Sequence, residues 1–303
     1  MSEPRSPQFL VIGSARSGTT YLTRQLDLHP EISLSDPKEP HFLAFAGEKL
    51  AFTGPGDEET INRRAITDEP TWRELFAGPG PARLRGEGSV STLYYHERAI
   101  ENIRTYCPQV KMIVLLRDPV ERAYSAHQYW TSRGFETETF SRALDLEDSR
   151  IRDGYHHIWH YTRMGRYAEQ LAPFLDAFDR DDLLVLGYED FMADRPAGLA
   201  RCQAFLGVEN VPSPEVDLDV NAGGQPRSRL AAQVLRRSRS IQPLRQAVKA
   251  VVPFAVRERI RSANLAASAI EPADRARLEQ VFEDERRALA VLLPDQAPGW
   301  VLA

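Results

Sequence analysis

A three-layer α/β fold, with a central parallel sheet flanked by helices and a helical C-terminal segment, is what this sequence predicts. Three observations lead there. Short apolar runs of strand length alternate with longer segments of helical spacing, the pattern of a parallel sheet covered on both faces. One run, Lys111–Leu116, is apolar on both sides, as an interior parallel strand requires. The first run ends in a glycine-bracketed loop that opens directly into a helical segment.

Residues 8–13 form the first strand, apolar and ending at Gly13. Residues 19–28 follow with helical spacing, Leu22 and Leu26 on one face and Tyr21 and Gln25 on its neighbour. The stretch 47–81 is polar, rich in Gly and Pro, and holds one short helix around Trp72 to Phe76; it reads as an insertion over the scaffold. A second strand is expected at 83–87 and a helix near 94–106. After Lys111–Leu116, Pro119 stands at the first helical position of a segment running to about Arg133. A helix fits 161–178 and a strand fits 183–186. Asp194 with Pro196 starts a helix containing Leu199, Cys202 and Phe205. A loop, 207–225, and helices to the end complete the chain. Residues 1–303 thus read as one domain, an α/β core over 8–229 and a helical segment over 230–303.

Composition narrows the function. A formal net charge of −5 argues against a protein that coats nucleic acid, which needs a basic surface. The two cysteines, Cys107 and Cys202, are too few for a disulfide framework and suit a reducing compartment. The first residues lack the apolar core of a signal peptide, and no apolar run is long enough to span a bilayer. The expected location is cytoplasmic.

The chemistry begins at Gly13-Ser14-Ala15-Arg16-Ser17-Gly18-Thr19-Thr20. Glycines at both ends allow a tight turn, and successive backbone N–H groups can then surround an anion at the helix N-terminus. The spacing makes the expected fold P-loop-like, yet Thr19 stands where a Walker lysine would be. A nucleotide triphosphatase without that lysine and without an evident metal-holding acid would be crippled.

Residues 13–22 resemble the 5′-phosphosulfate loop of sulfotransferases that use 3′-phosphoadenosine 5′-phosphosulfate (PAPS), in which a Lys or Arg precedes x-Gly-Thr. Val114-Leu115-Leu116-Arg117-Asp118-Pro119-Val120-Glu121-Arg122-Ala123-Tyr124-Ser125 is similar to that family's second signature. There the strand-end arginine and the helix serine bind the 3′-phosphate, which the resemblance carries to Arg117 and Ser125. The likeness extends through Arg163-Met164-Gly165-Arg166-Tyr167, Leu184 to Phe191, Phe205 to Val208 and Leu289 to Trp300. His29-Pro30-Glu31-Ile32 and Lys38-Glu39-Pro40-His41-Phe42 resemble the heparan-sulfate sulfotransferase branch and its soluble bacterial relatives.

The resemblance implies a transfer of a sulfuryl group from PAPS to an acceptor hydroxyl on a carbohydrate, a lipid or another small molecule. A sulfuryl group in flight carries less charge than a phosphoryl group, so no metal is required to neutralise it. Arg16 is the expected donor to the bridging oxygen, where the family usually has lysine; an arginine keeps the charge but cannot give up a proton at ordinary pH. Ser17, Gly18, Thr19 and Thr20 would hold the 5′-phosphate. Glu39 aligns with the family's general base and His41 is its rival. Glu87 is a second acid near a strand end, beside Gly88, where relatives often carry a lysine that here is absent or supplied elsewhere. His156, His157 and His160 have helix-compatible spacing for a metal, but no carboxylate or cysteine frames them, and a place on the cleft wall or the surface is expected.

Residues 221–229 stand where the family has a loop closing over the adenosine, which makes Arg227 and Arg229 candidates for the 3′-phosphate. Ten basic residues between Arg227 and Arg261 face only Glu258. This stretch reads as a solvated helix face, a groove for an anionic acceptor, or, over 230–261, a weak membrane-surface contact with interleaved valines. Two other functions compete. A metabolite kinase on the same scaffold would need the lysine and a magnesium acid, and a noncatalytic scaffold would not need Arg16, Glu39, Arg117 and Ser125 together.

Overall fold

Among the described residues five parallel strands make the central sheet: β1 (Phe9–Gly13), β2 (Ile32–Leu34), β3 (Leu84–Glu87), β4 (Lys111–Leu116) and β5 (Leu183–Gly187). Their spatial order is β2-β3-β1-β4-β5. The structure is a computed structural model and describes residues 6–77, 83–212, 214 and 269–302, with the backbone of Gln225–Pro226 and Leu265–Ala266. From β1 the chain first builds outward to β2 and β3, then crosses to β4 and β5 on the other side. The direction reverses at β1, and in such sheets ligands bind outside the carboxyl ends of the strands at that point.

Both faces of the sheet are buried, and strand pleating sorts the side chains between them. Leu10, Ile12, Met112, Val114, Leu116, Leu183 and Val185 face one cluster. It is closed by α6 (His96–Tyr106), α10 (Tyr167–Ala177) and α14 (Glu283–Leu292), through Ile103, Leu171, Phe174 and Leu289. Phe9, Val11, Ile113, Leu115, Leu184 and Leu186 face the opposite cluster. There α1 (Thr19–Asp27), α11 (Tyr188–Ala193) and α12 (Arg195–Leu206) supply Leu22, Leu26, Phe191 and Cys202. A change such as Ile113→Ala, at a fully buried position, costs on the order of 2–5 kcal/mol because the cavity collapses only partly. Leu289 and Leu293 are fully buried in the first cluster, so the end of the chain is part of the core.

Helix ends follow their local chemistry. Asp118 caps α7 (Pro119–Ser132), its Oδ1 accepting from Val120 N at 2.9 Å and Glu121 N at 3.0 Å, with Pro119 at the first position. Asp194 caps α12 by accepting from Ala197 N at 3.0 Å.

Several elements differ from the sequence-based expectation. The helix expected at 161–178 begins only at Tyr167, after a 3₁₀ turn at Arg163–Gly165. Gly165 packs so tightly there that a Cβ would lie 2.7 Å from the ring of Phe282. The helix expected near 94–106 is α6, and a further short helix, α5 (Val90–Tyr94), precedes it. The insertion carries α3 (Ile61–Arg64) besides α4 (Glu69–Glu74), and β2 was not foreseen. Between these lie α2 (Phe42–Phe45), α8 (Phe140–Asp145) and α9 (Glu147–Arg152); α13 (Pro272–Val281) and α15 (Gly299–Leu302) complete the C-terminal part. A two-residue antiparallel pairing joins β6 (Gln225–Pro226) to β7 (Leu265–Ala266), with β6 close to α7. No helix among the described residues is long and apolar enough to cross a membrane.

Candidate active site

The carboxyl ends of β1, β3, β4 and β5 bring together the phosphate loop, Glu87 with Ser89, Arg117, and Tyr188 with Glu189. The loop between β1 and α1 has a demanding backbone. Gly13 has φ +149°, and a Cβ there would meet Leu115 O at 2.4 Å; Gly18 has φ +84°, and a Cβ would touch the Tyr188 ring at 2.8 Å. Arg16 adopts φ +75° without being glycine, a conformation that costs of order 1–3 kcal/mol and persists only where surroundings hold it. The first amides of α1 have no intrahelical acceptor and carry the positive end of the helix dipole. The Ser17 hydroxyl is fully buried and has no hydrogen-bond partner among the described residues.

Arg16 and Ser125 meet directly, Arg16 Nε donating to Ser125 Oγ at 3.2 Å. The guanidinium also stacks on Tyr129, 4.6 Å from the ring centroid. Arg117, leaving β4, donates from Nη1 to Arg16 O at 3.2 Å and lies 4.9 Å from the centroid of Tyr188. Among the described residues its Nε has no hydrogen-bond partner and lies 3.9 Å from Glu189 Oε1. Loop, strand end and helix therefore bring two guanidinium groups together, a setting suited to a ligand with two separate anionic groups. Of the residues expected to bind that ligand, Arg16, Ser17, Gly18, Thr19, Thr20, Arg117 and Ser125 are here; Arg227 and Arg229, like the rest of the basic stretch, lie outside the described residues.

Glu39 and His41 follow β2 on a loop over the same edge. Glu39 is about a third exposed, with Oε1 2.6 Å from Lys38 Nζ and Oε2 3.7 Å from His41 Nε2. Burial pushes the carboxyl upward, but Lys38 and then His41 outweigh it and hold it below the ordinary value of 4.5. Burial brings His41 down to about 4, against the pull of Glu39. The imidazole is therefore neutral at pH 7, with Nδ1 2.8 Å from Ser91 Oγ. Its backbone N–H donates to Ser89 Oγ at 3.1 Å, and Ser89 Oγ donates to Glu87 at 3.2 Å.

Glu87 ends β3, as expected of a second acid near a strand end, and its carboxyl is turned into the interior. Its carboxyl accepts from Trp72 Nε1 at 2.6 Å and is 1% exposed, and burial raises it to about 7. Its effect on the site passes through Ser89 to the backbone of His41.

The three histidines lie around a 3₁₀ turn, His157–Trp159, rather than on an α-helix. A carboxylate does frame them, contrary to expectation: Asp57, from the insertion, takes His156 Nδ1 at 2.7 Å and Trp159 Nε1 at 3.0 Å. His160 Nδ1 pairs with Tyr94 Oη at 2.5 Å, and the His157 ring lies tilted beside that of His41, 6.2 Å between centroids. They form a buried, aromatic wall beside Glu39 and His41. Sequence reasoning missed Asp57 and the serines Ser89 and Ser91; the position of the serines just after β3's carboxyl end was the available signal.

Comparison with known proteins agrees with this geometry. A family model described as "Sulfotransferase family" matches residues 7–212. Carbohydrate sulfotransferase 15 of Mus musculus is 26% identical over 246 residues, covering 67% of this chain and 44% of that protein. Heparan sulfate glucosamine 3-O-sulfotransferase 3B1 of Mus musculus is 29% identical over 212 residues, with 68% and 47% covered. The chain thus spans about half the length of the curated relatives it matches. A sulfotransferase from Alicyclobacillus acidocaldarius has a crystal structure that superposes with TM-score 0.74 at 29% identity, covering 95% of this chain and 96% of that one.

Proposed function

Because the chain belongs to the sulfotransferase family, we propose that it transfers a sulfuryl group from PAPS to an acceptor hydroxyl, with a carbohydrate as the first expected acceptor. The observation that carries this reading is the convergence of a lysine-free phosphate loop with Arg117 and Ser125 at one sheet edge, beside Glu39. The residues fit the donor: the orphaned Ser17 hydroxyl and the N-terminal amides of α1 suit the 5′-phosphate, and the unpartnered Arg117 Nε with Ser125 suits the 3′-phosphate. Arg227 and Arg229 are proposed to complete that clamp. When bound, the donor supplies a sulfuryl group already activated toward transfer. What this chain must add is charge around the departing phosphate, an aligned acceptor and a base for its proton, which is positioning plus electrostatics.

The carbohydrate acceptor is supported by the names of the relatives. A cytoplasmic site of action is supported by two buried free thiols. The chemistry calls for no metal. Calorimetry in EDTA tests the proposal. The bisphosphate product, 3′-phosphoadenosine 5′-phosphate (PAP), should bind more tightly than ADP; binding of ATP with magnesium but not of PAP defeats the reading.

A further inference from the structure

The sequence made Lys38 a neighbour of the base and nothing more. Its ammonium lies 3.2 Å from Thr19 Oγ1, at the first position of α1, and 2.6 Å from Glu39 Oε1. One cation therefore touches both the phosphate loop and the group expected to take the acceptor's proton. The loop is anchored for this, with Gly88 N donating to Lys38 O at 3.2 Å. The lysine stem passes beside Gly88 at the end of β3, where a Cβ would meet Thr23 Cγ2 at 2.7 Å. That Cβ would be in ordinary contact with Lys38 Cε, 3.6 Å away. Arg16, by contrast, is drawn toward Ser125 and Tyr129.

Resting on the sulfotransferase reading, we propose that Lys38 is a catalytic residue whose ammonium meets the oxygens of the transferring sulfuryl group. In that transfer an acceptor oxygen lone pair forms the new O–S bond. The S–O bond to the 5′-phosphate breaks with its electron pair staying on the phosphate, and the acceptor proton passes to Glu39. Negative charge moves from the acceptor side to the leaving side. A cation between Thr19 and Glu39 lies along that path and stabilises charge as it develops. It also has a second effect. Glu39 faces Lys38 and His41, with His156 and His157 beyond His41, and both imidazoles at 41 and 157 are pushed toward the neutral form by burial. Lys38 is the cation in direct contact with that carboxylate among the described residues.

Lys38→Met and Lys38→Arg test this in the full chain. Lys38→Met should lower kcat at least about tenfold, a modest share of what one charge-stabilising donor contributes. Its PAP affinity, read by calorimetry, should stay within about threefold, because PAP lacks the sulfuryl group. The acid limb of its kcat/KM profile should move to higher pH, since Glu39 has lost the charge holding it low. Lys38→Arg should keep the wild-type acid limb and recover part of kcat. Turnover of Lys38→Met within threefold of wild type overturns the proposal. So does a parallel loss of kcat and PAP affinity, which would make Lys38 a tie for the loop; Lys38→Arg gives the answer if the methionine variant fails to fold. A wild-type chain that binds no PAP defeats the sulfotransferase reading itself, whereas an active wild type beside an unaffected Lys38→Met defeats only the role of Lys38.

Discussion

Arg16 Nε donates to Ser125 Oγ at 3.2 Å, joining the phosphate loop to the helix that follows β4 across 109 residues. Arg117 closes the same unit by donating to the carbonyl of Arg16. The two signature segments are thus one assembly, and holding them together lowers the ordering cost of binding.

The 3′-phosphate clamp follows from that assembly. Arg117→Ala should weaken PAP binding by about 1.5–3 kcal/mol, the usual size for a hydrogen bond to a charged group. Ser125→Ala should cost less, since its hydroxyl also serves Arg16. Calorimetry with adenosine 5′-phosphosulfate, which lacks the 3′-phosphate, is the control. The arginine penalty should vanish there; an equal loss with both ligands makes Arg117 structural.

Gly13 tests the loop itself. A Cβ at this position would stand 2.4 Å from Leu115 O, a backbone atom that cannot swing aside, and φ +149° adds strain for any other residue. Gly13→Ala should destabilise the fold by roughly 1–3 kcal/mol from the backbone conformation alone, with more from the clash. Urea denaturation measures it. A variant as stable as wild type would mean the strand and loop are free to part.

A pH-dependent stability should come from Glu87. Its folded value, raised to about 7 by burial, exceeds the ordinary 4.5 of an unfolded chain. The neutral form is favoured in the fold, so this contribution is full below pH 4.5 and is lost as pH rises toward 7. Glu87→Gln can still accept from Trp72 while donating to Ser89, and it does not titrate. Its stability relative to wild type should therefore rise between pH 4.5 and 7 and level off above. Thermal melts across that range check it, and a difference independent of pH would refute the assignment.

Much of this architecture was legible because its determinants are local. β1, β4 and β5 are short runs apolar on both sides, and Asp118-Pro119 and Asp194 announce helix starts by capping chemistry. The phosphate loop is equally local. What escaped depends on distant partners. β2 has only Ile32 fully buried and is defined by pairing with β3. The start of α10 is delayed by packing of Gly165 under Phe282, and Asp57 reaches His156 across 99 residues. Glu39 and His41 were recognisable as a pair of bases, but Lys38 acquires its meaning only when α1 brings Thr19 against it.

The choice of base is the sharpest test of the site. An acceptor hydroxyl is a poor nucleophile until its proton is partly removed, and a positioned base contributes roughly 10²–10⁴-fold. His41 is neutral at pH 7 and its Nδ1 is engaged with Ser91. A tautomer protonated at Nε2 would accept from Ser91 at Nδ1 and direct its N–H toward Glu39, 3.7 Å away. In that arrangement the histidine orients the carboxylate, which keeps its other oxygen toward Lys38. Glu39→Gln should therefore lower kcat by at least about a hundredfold, within the range for a lost base, while PAP affinity stays nearly unchanged. His41→Ala should fall by less. Because Glu39 is held below 4.5, the acid limb of the wild-type kcat/KM profile should lie below that pH, activity being lost as the carboxylate gains its proton. Donor hydrolysis to water serves as the assay until an acceptor is in hand. A Glu39→Gln enzyme that keeps most of its turnover beside an inactive His41→Ala would transfer the role to the histidine. Equal and severe losses in both, with PAP binding intact, would make the pair a single unit in which His41 is needed to aim Glu39.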